Sequence, residues 1–280
     1  EILSIYTQPP KKSKRGQKIN ISPIQKFSEK NNLPVRNPEN LNNGEEYNFI
    51  KSLSADIAVV VAYGKLIPKN ILKTTKLGFI NIHASLLPKW RGAAPIQRAI
   101  MNGDKKTGVS IMKIEEKLDC GPIIVSRELE LDTSATYGET EKKLSEIGAN
   151  LLIESLKKIE SGNSKFVEQV HSKATYAKKI NKKEAKINWN SNADKVIAQI
   201  HGLNPNPGAW FKFEKERIKV WKAKKLLANG RPGTVLDESL SVACQSDSVQ
   251  ILEIQREGKN KQITKDFLLG KKINKGSILT

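Results

Sequence analysis

The sequence predicts an α/β domain built on a mostly parallel sheet, followed by a small β-barrel domain. Three observations carry this. Apolar, β-branched runs alternate with amphipathic stretches through the first 160 or so residues. A polar, basic and weakly periodic stretch follows Glu160. From Ala209 onward, short strand-like runs are separated by turn residues at close spacing, the pattern of a small barrel. The predicted division is residues 1–161, a basic linker over 162–180, and a second domain over 181–280. A chain of 280 residues has room for two domains.

Each element has its own local reason. Ile2–Thr7 reads as a strand, and Gln8–Ile21, rich in Pro, Lys, Arg and Gly, as a basic loop. Pro23–Asn31 has helical spacing, with Ser22 as N-cap and Pro23 at the first helical position. Leu33–Val35 is extended and Glu45–Leu53 helical. Ala55–Tyr63 is a continuous apolar run of the kind found in buried parallel strands. A short helix over Pro68–Lys73 precedes a strand at Phe79–His83. Pro95–Asn102 is a helix that starts on its proline. Thr107–Ile114 and Ile123–Glu130 alternate as strands. Thr140–Glu160 is a long amphipathic helix with Leu144, Ile147, Leu151, Ile153, Leu156 and Ile159 near a 3.6 period. Downstream come a helix at Ala193–Ile200 and strands at Ala209–Phe213, Arg217–Lys224, Gly233–Leu236, Leu240–Ala243 and Val249–Ile254.

The net charge of +19 is the strongest compositional fact. Residues 162–280 hold 23 Lys and Arg against 11 Asp and Glu, an excess of +12. A basic excess of that size in one segment points to a polyanionic partner such as nucleic acid. No apolar run approaches the roughly 18–20 residues of a membrane-spanning helix. Cys120 and Cys244 lie far apart in sequence, with no metal or redox spacing, which fits a reducing, cytoplasmic compartment. No phosphate-binding loop, dinucleotide fingerprint or metal motif occurs.

Asn81-Ile82-His83-Ala84-Ser85-Leu86-Leu87-Pro88, with Leu118-Asp119-Cys120-Gly121-Pro122 following, is the most informative pattern. A strand would turn Asn81 and His83 to one face. An amide donor, an imidazole and a later carboxylate are the parts needed to stabilise an oxyanion and move a proton. The Ser-Leu-Leu-Pro turn carries the chain off the sheet, where ligands of open α/β sheets bind. The set points to acyl transfer without a covalent enzyme intermediate. Cys120 has no base at a recognisable spacing and reads as a small packed residue, and His171 and His201 as incidental.

The run Asn81–Ile100, with Val60-Val61-Ala62-Tyr63-Gly64 before it and the Asp119 segment after it, resembles the methionyl-tRNA formyltransferases. So do Thr175–Ile180 and Asn204-Pro205 in the tail. Asn206 departs from the family, which has Trp there. The resemblance implies a Rossmann-like catalytic domain and an OB-like barrel that meets tRNA. It implies 10-formyltetrahydrofolate as formyl donor, no metal, initiator methionyl-tRNA as acceptor, no membrane partner, a monomer, and a bacterial cytoplasm or a eukaryotic organelle. Asn81, His83 and Asp119 become the catalytic set. Ser85, Leu86, Leu87 and Pro88 line the folate pocket. Lys14, Arg15 and Lys18 lie on a loop that enters the tRNA acceptor end. The chain opens on Glu1 rather than Met, directly before the strand-like Ile2–Thr7, and the resemblance implies a βα unit of about 30 residues before that point, so the chain reads as truncated. With Ile2–Thr7 as second strand and Ala55–Tyr63 as fourth, a first strand belongs between them. Two rivals remain: the same chemistry on a nucleotide-linked amino sugar, and a non-catalytic RNA-binding protein that keeps the fold. The basic tail argues against the first, the intact Asn81/His83/Asp119 set against the second.

Overall fold

A computed structural model describes residues 1–13 and 18–280. The chain divides into two compact units. One comprises Glu1–His83, Ile111–Val125 and Lys158–Gln169; the other comprises Ala84–Ser110, Ser126–Lys157 and Val170–Thr280.

The first stretch runs β1 (Ile5–Tyr6), β2 (Lys11–Ser13), β3 (Lys18–Asn20), α1 (Pro23–Lys30), β4 (Val35–Arg36), α2 (Gly44–Ser52), β5 (Ala58–Val60), α3 (Lys69–Leu72) and β6 (Phe79–His83). The predicted start of α1 holds: Ser22 Oγ accepts from the Gln25 N–H at 3.0 Å, with Pro23 at the first helical position. Asn43 caps α2 in the same way. Glu46 is buried and ties three elements together, accepting from Tyr6 Oη and from Arg36 Nη2, each at 2.7 Å. Those bonds, Arg36 first, hold its carboxyl below the usual carboxylate range. A small apolar cluster of Leu41, Ile50, Ile71 and Phe79 packs behind them.

β1 pairs in parallel with β4, and β5 in parallel with β6. Among the described residues no ladder joins the two pairs. The run expected as a long buried strand forms only the three residues of β5, and Val59 and Val61 are exposed. Among the described residues β5 stands at the edge of its sheet.

Next come β7 (Arg91–Gly92), α4 (Pro95–Asn102), β8 (Lys106–Lys113), β9 (Ile123–Glu130) and α5 (Tyr137–Glu160). The sheet order is β5–β6–β8–β9. Backbone bonds Lys113 N–H to Pro122 C=O (2.9 Å) and Leu131 N–H to Lys105 C=O (2.9 Å) close both ends of an antiparallel β8/β9 hairpin. The sheet is therefore mixed rather than mostly parallel. The connection over 114–122 is too short for the crossover that a parallel pair needs. Helix α5 begins at Tyr137, before the predicted Thr140, because Thr136 and Glu139 form a reciprocal cap. Its buried stripe is Thr140, Leu144, Gly148, Leu151 and Ser155, while Ile153 is exposed. Small residues sit where the isoleucines were expected.

The remainder is β10 (Tyr176–Ala177), α6 (Ala193–Gly202), β11 (Ala209–Phe213), β12 (Glu216–Leu226), β13 (Ser241–Ala243), β14 (Ser248–Arg256), β15 (Gln262–Ile263) and α7 (Thr264–Gly270). The antiparallel order is β11–β12–β14–β13, with β15 on β14. Register shifts around Lys222 put a bulge in β12, and bulges bend a strand. The result is a curled half-barrel. Gly233–Leu236, predicted as a strand, contributes only isolated bridges, and α7 and β15 were not foreseen. A large core forms there, with Phe211, Leu203, Ile218, Ile251 and Ile254 fully buried. Helix α6 also packs on α4 at Gly202, where a Cβ would stand 2.6 Å from Met101 Cγ. No helix among the described residues is long and apolar enough to cross a membrane.

Candidate functional site

Strand β6 ends on His83, which is 5% exposed. Its Nδ1 lies 3.7 Å from Asp119 Oδ2, and the Asp119 side chain is 16% exposed. Two residues 36 apart in sequence are thus brought to ion-pair distance. Asn81 pairs across the ladder with Val60 and is half-buried. The two-residue period of β6 places it on the face of the strand that His83 uses. All three belong to the first unit.

The loop that delivers Asp119 is fixed at several points. The Ile114 N–H donates to the Phe79 carbonyl at 2.8 Å, which ties the loop's start to β6. Asp119 itself has φ +46°, the left-handed region that Asp tolerates better than most residues. At Gly121 a Cβ would come within 2.1 Å of the Lys113 carbonyl oxygen, so only glycine lets the strands approach there. Gln169 Nε2 donates to the carbonyls of Asp119 (3.0 Å) and Gly121 (2.7 Å). Cys120 is buried, its Sγ 3.4 Å from the Lys117 carbonyl oxygen, in keeping with a packing role.

Within the second unit, the Ser85–Pro88 turn is held from inside. Ser85 Oγ donates to the Lys89 carbonyl at 2.6 Å. Ser110 Oγ donates to the Ser85 carbonyl (2.8 Å) and accepts from the Leu87 N–H (3.2 Å). Ser85 and Leu87 are buried. Leu86 lies over Gly108, where a Cβ would stand 2.5 Å from its Cδ2. Ser110 escaped the sequence reading. Its signal was a small polar residue in the buried run of β8. Gln169 left no such signal.

The predicted linker is laced onto the segment after the turn. Thr175 N–H donates to the Pro88 carbonyl (3.3 Å), its Oγ1 accepts from the Trp90 N–H (2.9 Å), and its carbonyl accepts from the Arg91 N–H (2.9 Å). β10 then pairs with β7. Arg91 is buried, and its Nη2 donates to His171 Nδ1 at 3.0 Å. His201 is also more than incidental. It is buried, donates from Nδ1 to the Thr133 carbonyl (3.1 Å) and accepts at Nε2 from the Ala223 N–H (3.4 Å). Burial lowers its pKa. It is a satisfied core histidine.

Two open clefts of about 500 and 540 Å³ are lined by Arg98, Tyr176, Lys178, Lys179, Asn181 and Glu184, and by Tyr47, Lys69, Asn70 and Lys73. Neither is lined by His83 or Asp119. Of the basic loop residues, Lys14 and Arg15 lie outside the described residues, and Lys18 is described only as the ladder partner of Ser13. On the half-barrel, Arg217 stacks over Trp210 at 4.1 Å, and Lys219 sits 5.2 Å from the Trp221 ring.

Residues 1–156 match the formyl transferase family, and residues 179–272 match the C-terminal domain of formyl transferases. The methionyl-tRNA formyltransferase of Pelagibacter ubique (strain HTCC1062) is 50% identical over 281 residues, covering 100% of this chain and 91% of its own. That of Chelativorans sp. (strain BNC1) is 42% identical over 285 residues, covering 100% and 92%. Among solved structures, HypX from Aquifex aeolicus in complex with tetrahydrofolic acid superposes with a TM-score of 0.65 at 19% identity, over 90% of this chain and 47% of that one. An N-formyltransferase from Helicobacter canadensis, in complex with folinic acid and dTDP-3-aminofucose, gives 0.62 at 16% identity, over 89% and 87%. At those identities the two structures speak for the fold alone.

Proposed function

This chain belongs to the methionyl-tRNA formyltransferase family, and from that premise we propose how its residues carry out formyl transfer to methionyl-tRNA. The donor is a folate-borne formyl group, in this reading 10-formyltetrahydrofolate. The methionyl amine attacks the formyl carbon, a C–N bond forms, and the bond from that carbon to N10 breaks. Asn81 donates its amide N–H to the tetrahedral oxyanion, a contribution worth a few kcal/mol in comparable sites. His83 stabilises the same charge as imidazolium, or passes the amine proton to the leaving N10. Asp119 orients His83 and holds a proton-relaying water. The observation that carries this reading is the 3.7 Å approach of Asp119 to His83 at the end of β6.

The Ser85–Pro88 turn offers the folate the walls that Ser85 and Leu87 do not need for their own packing, chiefly Leu86 and Pro88. Residues 1–161 act as the catalytic domain and 181–280 as an OB-like surface that tracks the tRNA. Lys14, Arg15 and Lys18 contact the acceptor end. The basic excess over 162–280 supports this assignment of the tail.

The test is labelled formyl transfer to initiator methionyl-tRNA beside a nucleotide-linked amino sugar. Only the tRNA should be formylated, and log affinity for it should fall steeply and linearly with log salt. Formylation of the sugar in preference to the tRNA would replace this reading with the rival one. Absence of transfer to either acceptor would favour the non-catalytic rival.

A further inference from the structure

We infer that Gln169 is a positioning residue for the reaction, acting through Asp119; the inference rests on the reading of Asp119 given above. Gln169 is 5% exposed, and its side-chain nitrogen donates to two carbonyls of one loop, Asp119 at 3.0 Å and Gly121 at 2.7 Å. Both atoms it faces are carbonyl oxygens, so the NH2 end of the amide must point at them. One amide thus uses both of its hydrogens on the Asp119–Cys120 and Gly121–Pro122 peptide groups.

The geometry gives the clamp a purpose. The direction of a side chain follows from the orientation of its own peptide groups. The Asp119 carboxylate reaches His83 from a left-handed backbone position, in a loop with no helix or ladder of its own. A second tie fixes the clamp itself: Val167 and Ile123 exchange both backbone hydrogen bonds at 2.8 Å, two residues from each end of the interaction. Gln169 is thereby anchored to the first residue of β9, just past the Asp119 loop. Freed from the amide, the loop keeps its chain path at Gly121 but loses the bond that sets the peptide plane after Asp119. Displacements on the order of 1 Å at a reacting group cost up to about a hundredfold in rate.

Glutamine suits this place and its close relatives do not. Glutamate has the same length but, ionised, presents only acceptors to two carbonyls. Asparagine is one methylene short. Leucine fills similar volume and donates nothing.

The test is a double-mutant cycle in the full chain, read by single-turnover formylation of methionyl-tRNA with enzyme in excess. Gln169→Leu should lower the single-turnover formylation rate at least about tenfold, while the KM values for formyl donor and tRNA, taken from separate steady-state assays, stay within about twofold. In an Asp119→Asn background the same change should cost less than about twofold, because the group it positions is already gone. Gln169→Glu serves as second variant should the leucine protein fail to fold, and should lose at least as much. Equal losses from Gln169→Leu in both backgrounds, or wild-type rates in Gln169→Leu, overturn the inference and leave the Asp119 reading intact. Wild-type rates in Asp119→Asn alone overturn the Asp119 reading, and this inference with it.

Discussion

The Asp119 loop and the C-terminal half-barrel are held by different forces. Around Asp119, order comes from directed polar contacts: the Gln169 amide on two carbonyls, the Ile114 N–H on Phe79, and a glycine where strands touch. In the half-barrel, order comes from burial, with Phe211, Ile218, Ile251 and Ile254 fully enclosed along β11, β12 and β14. The first unit has the smaller cluster of Leu41, Ile50, Ile71 and Phe79, beside the buried Ile80, Ile111 and Met112. Burial is strong but non-directional, while hydrogen bonds are individually modest and fix orientation. A carboxylate that must face an imidazole needs the second kind of support. A half-barrel that serves as a platform needs only the first kind.

Three measurements would break or sharpen that contrast. The largest effect belongs to the platform. Phe211→Ala should destabilise the protein by about 3–5 kcal/mol, the usual range for removing a buried aromatic ring. The formylation rate per folded molecule should stay unchanged. A loss well below 1 kcal/mol in denaturant melts would show that the half-barrel does not depend on its core.

Asp119→Asn should reverse the pattern. Turnover should fall at least about a hundredfold, near 2.7 kcal/mol of barrier, with folate affinity and melting temperature little changed. A variant that melts early yet turns over normally would make Asp119 a structural residue and erase the contrast.

The smallest effect lies at the start of α5. Glu139 accepts from the Thr136 N–H and hydroxyl and faces Lys222, and these bonds, the Thr136 backbone N–H first, hold its pKa at about 2. A carboxyl with a lowered folded-state pKa stabilises fully above its ordinary value of 4.5, and that stabilisation is lost as pH falls toward 2. Glu139→Gln should therefore cost roughly 1 kcal/mol at pH 7, the scale of a helix cap, with the gap to wild type closing by about pH 2. A gap that does not change with pH would mean that the charge contributes nothing there.

Elements governed by near neighbours were legible in the sequence. Phe79–His83, Pro95–Asn102, Ile123–Glu130 and Ala209–Phe213 fall where apolar period and proline placed them. Local chemistry also marked the Ser22 cap. Where the reading slipped, the missing information was non-local. Helix α5 buries Gly148 and Ser155 in place of Ile147 and Ile153. Residues 162–180 have the composition of a tether, yet Thr175–Ala177 is bonded into the segment after Pro88.

The sequence by itself determined the family and the basic excess of the tail, and it singled out Asn81, His83 and Asp119 as a candidate set. Residue type and short spacing carry all of these. Only the tertiary structure decided that Asp119 comes within 3.7 Å of His83, that Ser110 holds the Ser85–Pro88 turn and that Gln169 clamps the Asp119 loop. Each of those facts joins residues at least 23 positions apart, counting Leu87 to Ser110 as the nearest pair. A hydrogen bond across such a separation leaves no period and no cap signature in the chain, because it is fixed by where the sheet sets its strands down.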